Sequence, residues 1–371
     1  MIVKEIFLEG FRNYCSETVC FGDSVNTIIG KNAQGKTNLI EAIFYLAAAR
    51  SFRSGGDKDL ISHDRENASI RAAVVSSGRE QTLEARLFRG KRRELYANGV
   101  KLKKTSELTG RLTAVQFGPD DLGIIKDGAA VRRKLMDQCI SQLRPGYVAA
   151  LSEFNKLYDN KTRILRDYRE KPSLLELLDD FNLRLAQQSA KLIFYRSAFT
   201  LALSRRAADI HSDFSGGAEK LTIEYKTVGG MDPTGKKPEQ ILPELLVHQE
   251  AYYQAELKSG MCLSGAHKDD LEISINGMPV RKYGSQGQMR TASVSIKLAE
   301  RDIHYDNMGE YPVMLLDDVL SELDKERQSF ILGRITDGQV FITCCDDSIT
   351  PYTTNATVLR VEEGAVCEIE S

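Results

Sequence analysis

Residues 30–37 read GKNAQGKT and lie between a short β-forming run, VNTIIG, and an apolar helical pattern. The form G-x-x-x-x-G-K-[ST] carries meaning in that context, because the strand delivers the chain to a loop that wraps an anion and opens a helix. The main-chain N–H groups of Gly30, Lys31, Asn32, Ala33, Gln34 and Gly35 can turn toward phosphate oxygens. The helix N-terminus, with Asn38 in its first turn, adds a positive dipole. Lys36 is placed to reach the outer phosphates, and the Thr37 hydroxyl offers a ligand for Mg²⁺. Leu39, Ile40, Ile43, Phe44 and Ala47 are spaced to form the buried side of the helix. A nucleoside triphosphate with Mg²⁺ is the expected ligand.

A second run, PVMLLDD, supplies what such a loop needs opposite it. A hydrophobic strand ending at Asp317 would bring that carboxylate to the sheet's carboxyl edge, where it can hold Mg²⁺. Asp318 follows at once and can orient and deprotonate an attacking water. Lys36, Asp317 and Asp318 are therefore the expected catalytic group, and Thr37 and Asp317 the expected metal ligands.

Composition limits the setting. The 371 residues are too many for one small domain and suit two lobes. Net charge is −2, so any nucleic-acid contact must come from a local patch. The seven cysteines contain no C-x-x-C pair and read as reduced thiols. Lys4 and Glu5 interrupt any signal-peptide core, and the longest apolar run, residues 42–49, is far short of a membrane span. A cytoplasmic protein with no membrane partner is expected.

The chain reads as α/β with a helical insertion. ASIRAAVV, QTLEARLF and RELYANGVKLKK alternate as antiparallel strands, and Asn98-Gly99 signals a tight hairpin. Tyr147, Leu151, Phe154, Tyr158, Lys161, Leu165 and Tyr168 are spaced alternately by four and three, and so is a second run from Leu174 to Ala202. These predict an antiparallel helical hairpin, its first helix about 33 Å long at about 1.5 Å per residue. Ser173 and Glu176 form a capping box for the second helix. LTIEYK is a further strand, DLEISINGMPVRKY a second Asn-Gly hairpin, and a helix is expected from Gln286 to about Asp302. The predicted division is a head of residues 1–120 and 216–371, with an α-helical arm domain over 121–215.

Two further runs narrow the class. LDDVLSELD resembles the Walker B and D-loop of ABC ATPases, with residues 321–324 as the D-loop. SQGQ, namely Ser285, Gln286, Gly287 and Gln288, resembles the ABC signature and would open a helix, again an anion site. In ABC ATPases the signature of one subunit contacts ATP held by the phosphate loop of the other, so the resemblance implies an ATP-sandwiched homodimer. FLEGFRNY, ARSFR, FGPDDLGIIKDGAAVRRKLMD, SGAHKDDLEISING and YGSQGQMRTASVSIKLAE, in order with the phosphate loop and LLDDVLSELD, resemble the RecF family of SMC-like ATPases. That resemblance covers essentially the whole chain. It implies an ABC/SMC-like P-loop ATPase head with a mixed sheet, slow ATP hydrolysis, binding of duplex and gapped DNA, and work with RecO and RecR to load RecA. It also points to Arg50 or Arg53, preferably Arg53, beside the terminal phosphate, and to Gln116 as a possible Q-loop residue. The stretch FITCCDDS carries no histidine where many ABC ATPases have their switch histidine.

A DNA surface is suggested by charge. Residues 86–111 hold nine basic residues against two acidic ones. Arg86, Arg89, Lys91, Arg92, Arg93, Lys101, Lys103 and Lys104 are the expected phosphate contacts, positioned without reading bases. The rivals fit less well. A transporter ATPase lacks support, since Lys36 and Ser285 lie 249 positions apart with the helical arm between them and nothing suggests a membrane partner. An ABC-headed nuclease would need an added catalytic domain with clustered carboxylates, and a small-molecule kinase has no use for SQGQ or a D-loop. An ABC-type ATPase of another repair or transport system is the alternative.

Overall fold

The computed structural model describes residues 1–53, 55–345 and 356–369. Two compact units emerge, one of residues Met1–Gly123 with Gln286–Ser371 and one of Ile124–Ser285. The chain begins with β1 (Ile2–Phe11), β2 (Tyr14–Cys20), β3 (Val25–Ile29), α1 (Lys36–Ala48), β4 (Asn67–Ser76), β5 (Arg79–Phe88), β6 (Glu94–Ala97), β7 (Val100–Lys101) and β8 (Ala114–Phe117). The second unit contains α2 (Ala129–Leu143), α3 (Pro145–Asp167), α4 (Leu178–Phe214), β9 (Leu221–Lys226), α5 (Pro238–Ser259), β10 (Asp270–Ile275), β11 (Met278–Pro279) and α6 (Val280–Tyr283). The first unit resumes with α7 (Gln286–Met308), β12 (Val313–Asp317), α8 (Lys325–Arg334), β13 (Val340–Cys344), β14 (Thr357–Glu362) and β15 (Ala365–Ile369).

The first unit has two sheets. One is antiparallel, in the order β2-β1-β4-β5-β6-β7. Its strands alternate as half-buried strands should, with Val3, Ile6 and Leu8 inside on β1 and Ile70, Ala72 and Val74 inside on β4. The other sheet runs β15-β14-β3-β13-β12-β8, parallel except for the terminal β14–β15 pair. Strands β12 and β13 are buried at every position, which explains why both read as unbroken apolar runs. Helix α1 packs against strands of both sheets, and its apolar residues share one core with theirs. The Asn98–Gly99 turn has both residues at positive φ, as a two-residue hairpin requires.

The second unit is not purely helical. Helices α3 and α4 do form the expected pair, but α4 runs on to Phe214 and its long buried side also meets α5 and β9. Residues 216–285, expected with the head, belong here instead. Strand β9 lies on α4 and pairs with β10, and α5 packs along α4, so burial holds this segment to the helices. The chain enters α4 through a 3₁₀ turn, Pro172–Leu177, and the N-cap Leu177 makes no side-chain cap. The Ser173/Glu176 box therefore does not start the helix. Pro172, with its φ already helical, opens the turn in its place.

Buried polar pairs fix the register of this unit. Arg196 is fully enclosed and donates to the Tyr147 hydroxyl (2.9 Å), the Ala266 carbonyl (2.6 Å), Asp269 (2.9 Å) and Asp137 (2.8 Å). Lys161, read from spacing as a seam residue, is buried against Glu256 at 2.7 Å. Such pairs cost desolvation on both sides and give mainly a unique arrangement, so losing one partner is far worse than losing both.

His267 gives this unit a pH response. Its Nε2 bonds the Cys262 carbonyl at 2.9 Å, its ring lies against Tyr158, and its buried Nδ1 has no partner among the described residues. Burial pulls its pKa down to about 4. The folded state thus refuses a proton that the unfolded chain accepts. Stability is full above the ordinary histidine pKa of about 6.5 and falls as pH drops toward 4, by about 2 kcal/mol at pH 5. Urea unfolding at pH 7 and pH 5 checks this. His267→Gln is expected to shrink the difference between the two midpoints, and an unchanged difference would assign the response to another group.

Candidate functional site

The phosphate loop is shaped by backbone geometry and by neighbours on three sides. Gly35 caps α1 at φ 123°, and a Cβ there would come within 2.8 Å of the Asn13 amide. Gly30 sits at φ 156°, and a Cβ there would meet the Val361 carbonyl oxygen at 2.4 Å. Both positions therefore demand glycine. The Tyr14 hydroxyl donates to the Gly35 carbonyl (3.0 Å), and the Asn13 amide donates to that of Gln34 (2.8 Å). From the β14–β15 turn, the Glu363 N–H reaches the Gln34 side chain (2.6 Å) and the Gly364 N–H its carbonyl (3.1 Å). Asn13 and Tyr14, part of the FRNY run, thus buttress the loop, a role that their sequence did not disclose.

Lys36 is 4% exposed, and its ammonium turns into the loop's curve, donating to the carbonyls of Gly30 (2.7 Å) and Lys31 (3.2 Å). Cys345, the residue after β13, lies beside it at 3.5 Å and donates to Asn32 at 2.7 Å. Lys31, Asn32, Ala33 and Gln34 form the crest, Ala33 at φ 65°.

Across the loop, the Thr37 hydroxyl donates to Asp317 Oδ1 at 2.9 Å, although 280 residues separate the two. Thr343 on β13 donates to the same oxygen at 3.0 Å and accepts from the Asp318 N–H at 2.9 Å. Burial raises the Asp317 pKa, while the bonds from Thr37 and Thr343 and the charge of Arg53 work the other way. The Thr37–Asp317 pair is a set of hard oxygen donors of the kind that Mg²⁺ takes. Asp318 adopts a left-handed conformation, φ 50° and ψ 9°, which turns the chain sharply off β12 and leaves its side chain half-buried. Aspartate tolerates that region better than most residues.

Arg53 stands next to this cluster. Its guanidinium donates to Asn38 Oδ1 at 2.9 Å and lies 3.6 Å from Glu41, a fully buried carboxylate on α1. Arg12 binds the same Glu41 through two nitrogens at 2.9 and 3.0 Å. Glu41 was hidden in the sequence among apolar helix residues. Arg50 lies in the turn after α1, beyond the left-handed Ala49. Gln116, in the orientation that satisfies its amide, donates to Asp121 (3.2 Å) and accepts from the Gly118 N–H (3.0 Å), so it is spent on the turn after β8. Of the histidine-free stretch FITCCDDS, residues 346–348 lie outside the described residues.

Ser285 is exposed and immediately precedes α7, whose first turn carries Gln286, Gly287 and Gln288. Arg327 on α8 donates to the Gly287 carbonyl (3.0 Å) and to Thr291 (2.9 Å), and it also pairs with Asp324, the N-cap of α8. One arginine thereby ties the segment after Asp318 to the start of α7.

The basic stretch sorts into used and spare charge. Arg89 donates to the carbonyls of Arg65, Ile61 and Ser62, and Arg93 is held by Asp57 and the Tyr45 hydroxyl. These two are structural. Arg86 pairs with Glu84, while Lys91 and Lys101 both pair with Glu94. Arg92, Lys103 and Lys104 are exposed, with no side-chain partner among the described residues.

A parallel sheet, a glycine loop opening α1, a strand-end Asp317 beside Thr37 and an SQGQ helix start together define a phosphate-loop head of the ABC/SMC ATPase type. The family model RecF/RecN/SMC N terminal domain matches residues 2–366. DNA replication and repair protein RecF of Listeria innocua is 40% identical over 374 aligned positions, covering 99% of both chains. Its counterpart from Ruminiclostridium cellulolyticum is 37% identical over 93% of this chain and 92% of its own. The solved recombination mediator RecF-ATPrS of the RecFOR pathway superposes with a TM-score of 0.92 at 35% identity, covering 99% of this chain and 98% of its own. The Smc head of Pyrococcus furiosus, at 16% identity and a TM-score of 0.53, shares the fold. The chain belongs to the RecF family. No helix among the described residues is long and apolar enough to cross a membrane.

Proposed function

We propose that the chain is an ATP-dependent DNA-binding protein of recombinational repair. The contact between Thr37 and Asp317 carries the reading, because it joins the loop that would cradle phosphates to a buried carboxylate on the next layer of the site. Thr37 and Asp317 would hold Mg²⁺, which when bound neutralises charge on the outer phosphates. Lys36, already inside the loop, would exchange its two carbonyl partners for phosphate oxygens. Residues 30–35 and Asn38 would bind through the loop and first helical turn, and Arg53 would approach the terminal phosphate. Asp318 would orient the attacking water.

Ser285, Gln286, Gly287 and Gln288 would complete the site of a second copy, so that ATP joins two chains and slow hydrolysis releases them. Similarity to proteins named for DNA replication and repair, and to a structure of the RecFOR pathway, supports a place in DNA repair. There the chain would act on duplex and gapped DNA alongside RecO and RecR, with RecA as the protein finally loaded.

DNA binding tests the reading directly. Arg92, Lys103 and Lys104 are the spare cations, and phosphate contacts of this kind give affinity that depends on salt and little on base sequence. Reversing all three to Glu is expected to weaken duplex binding at least about tenfold and to reduce the salt slope by roughly two to three. Titration of labelled duplex at several salt concentrations, with ATP and Mg²⁺ present, checks both. If the wild type binds no duplex at low salt, the reading fails. Unchanged affinity in the triple variant would move the DNA contact off this sheet.

A further inference from the structure

Glu41 is a costly residue to place where it is. It lies on α1 with no exposure, amid helix positions otherwise filled by apolar side chains. A buried carboxylate is tolerable only when paired and hydrogen-bonded, and an uncharged side chain of similar size would avoid the cost. Among the described residues its partners are Arg12, which neutralises it, and Ser51 and Arg53, which lead to one place. Arg12 clamps it through Nε (3.0 Å) and Nη2 (2.9 Å), and the Ser51 hydroxyl donates to Oε1. The same Ser51 oxygen accepts from the Arg53 backbone N–H at 2.9 Å. The Arg53 guanidinium is 3.6 Å from Oε2 and also donates to Asn38. Glu41 thus holds Arg53 twice, by its backbone through Ser51 and by its side chain through charge. Only one Arg53 nitrogen is used in these contacts, and the side chain is 37% exposed. Asn38 directly follows Thr37, the partner of Asp317, so the Asn38 contact sets the guanidinium beside the first turn of α1.

We propose that Glu41 is the positioning residue that aims Arg53 at the terminal phosphate of the bound nucleotide, with Ser51 as the relay to the Arg53 backbone. The inference rests on the ATP reading above and adds a residue that touches neither nucleotide nor metal. Arg53 serves the terminal phosphate only if its remaining N–H groups, which bond nothing among the described residues, point there before the nucleotide arrives, since preorganised donors need no rearrangement on binding. Glu41→Gln keeps the size and one acceptor but removes the charge that holds the guanidinium. The Arg53 guanidinium would then keep its bond to Asn38 but lose the charge that fixes its aim.

The test compares wild type, Glu41→Gln, Arg53→Ala and the double variant, full-length, for ATP and ADP affinity and for turnover. Loss of Arg53 aim should reduce the preference for ATP over ADP and lower kcat by about tenfold, with ADP affinity unchanged. Glu41→Gln should reproduce both effects, and the double variant should be no worse than Arg53→Ala alone, because the two act as one unit. A Glu41→Gln protein with the wild-type ATP/ADP ratio and kcat, or additive losses in the double variant, would overturn the proposal. Should Glu41→Gln not fold, Ser51→Ala severs the relay alone. It must then reduce the ATP/ADP ratio in the same direction, and a wild-type ratio there sinks the proposal. A wild type that binds no ATP would instead defeat the nucleotide reading on which this one stands.

Discussion

Asp318→Asn is expected to slow ATP turnover by about a hundredfold or more while leaving ATP affinity nearly unchanged. The side chain extends from a left-handed turn directly after Asp317, half-buried, while the backbone N–H is fixed on Thr343. Asparagine tolerates the same backbone conformation, so the turn should persist and only the proton acceptor is removed. Lys36→Ala provides the contrast. It removes the one ammonium enclosed by the loop, and ATP binding itself should fall. Single-turnover measurements beside equilibrium titration separate the two. Wild-type turnover in Asp318→Asn would reassign the base, and equal loss of binding in both variants would make Asp318 a structural residue.

Ser285→Arg is expected to abolish ATP-driven dimerisation and to leave ATP binding by each monomer intact. Ser285 is exposed and lies immediately before α7, so a large cation there should not disturb the core. It would, however, block the small-residue approach of the signature to a nucleotide held by another copy. Sedimentation with and without ATP and Mg²⁺ reads the outcome: wild type should pass from monomer to dimer and the variant should not. A dimerising Ser285→Arg protein, or a wild type indifferent to ATP, would count against the sandwich. The tie from Arg327 to Gly287 and Asp324 suggests why a change after Asp318 could reach the signature, since one guanidinium spans both.

How much of this was legible depended on whether the information was local. The loop at residues 30–37, the strand ending at Asp317 and the two Asn-Gly turns were readable because each needs particular residue types at fixed spacing. The parallel strands were readable as apolar runs because both faces are covered. Glu41, Asn13, Tyr14 and Thr343 were not, because their roles come from partners far along the chain, as when the Asn13 amide reaches the Gln34 carbonyl. Charge counting also misled in part. Arg89 and Arg93 look like DNA contacts in the sequence, yet each is committed to neighbouring backbone or to Asp57, which only the fold reveals. The domain boundary was misplaced for a similar reason. A helical repeat is visible in spacing, but the packing of β9 and α5 on α4 is not.

The split arrangement of the first unit bears on synthesis. Strand β3 is made early, yet both strands that flank it, β13 and β14, are drawn from residues beyond 339. Until those are translated, the strand that leads into the phosphate loop has two bare edges, which is the condition under which chains pair with the wrong partner. The second unit is complete in sequence by Ser285, before either flanking strand is made. Slow translation over residues 286–340 would prolong that exposure of β3. Expression yield should accordingly respond to chaperones that shield extended segments more than to mutations in the insertion.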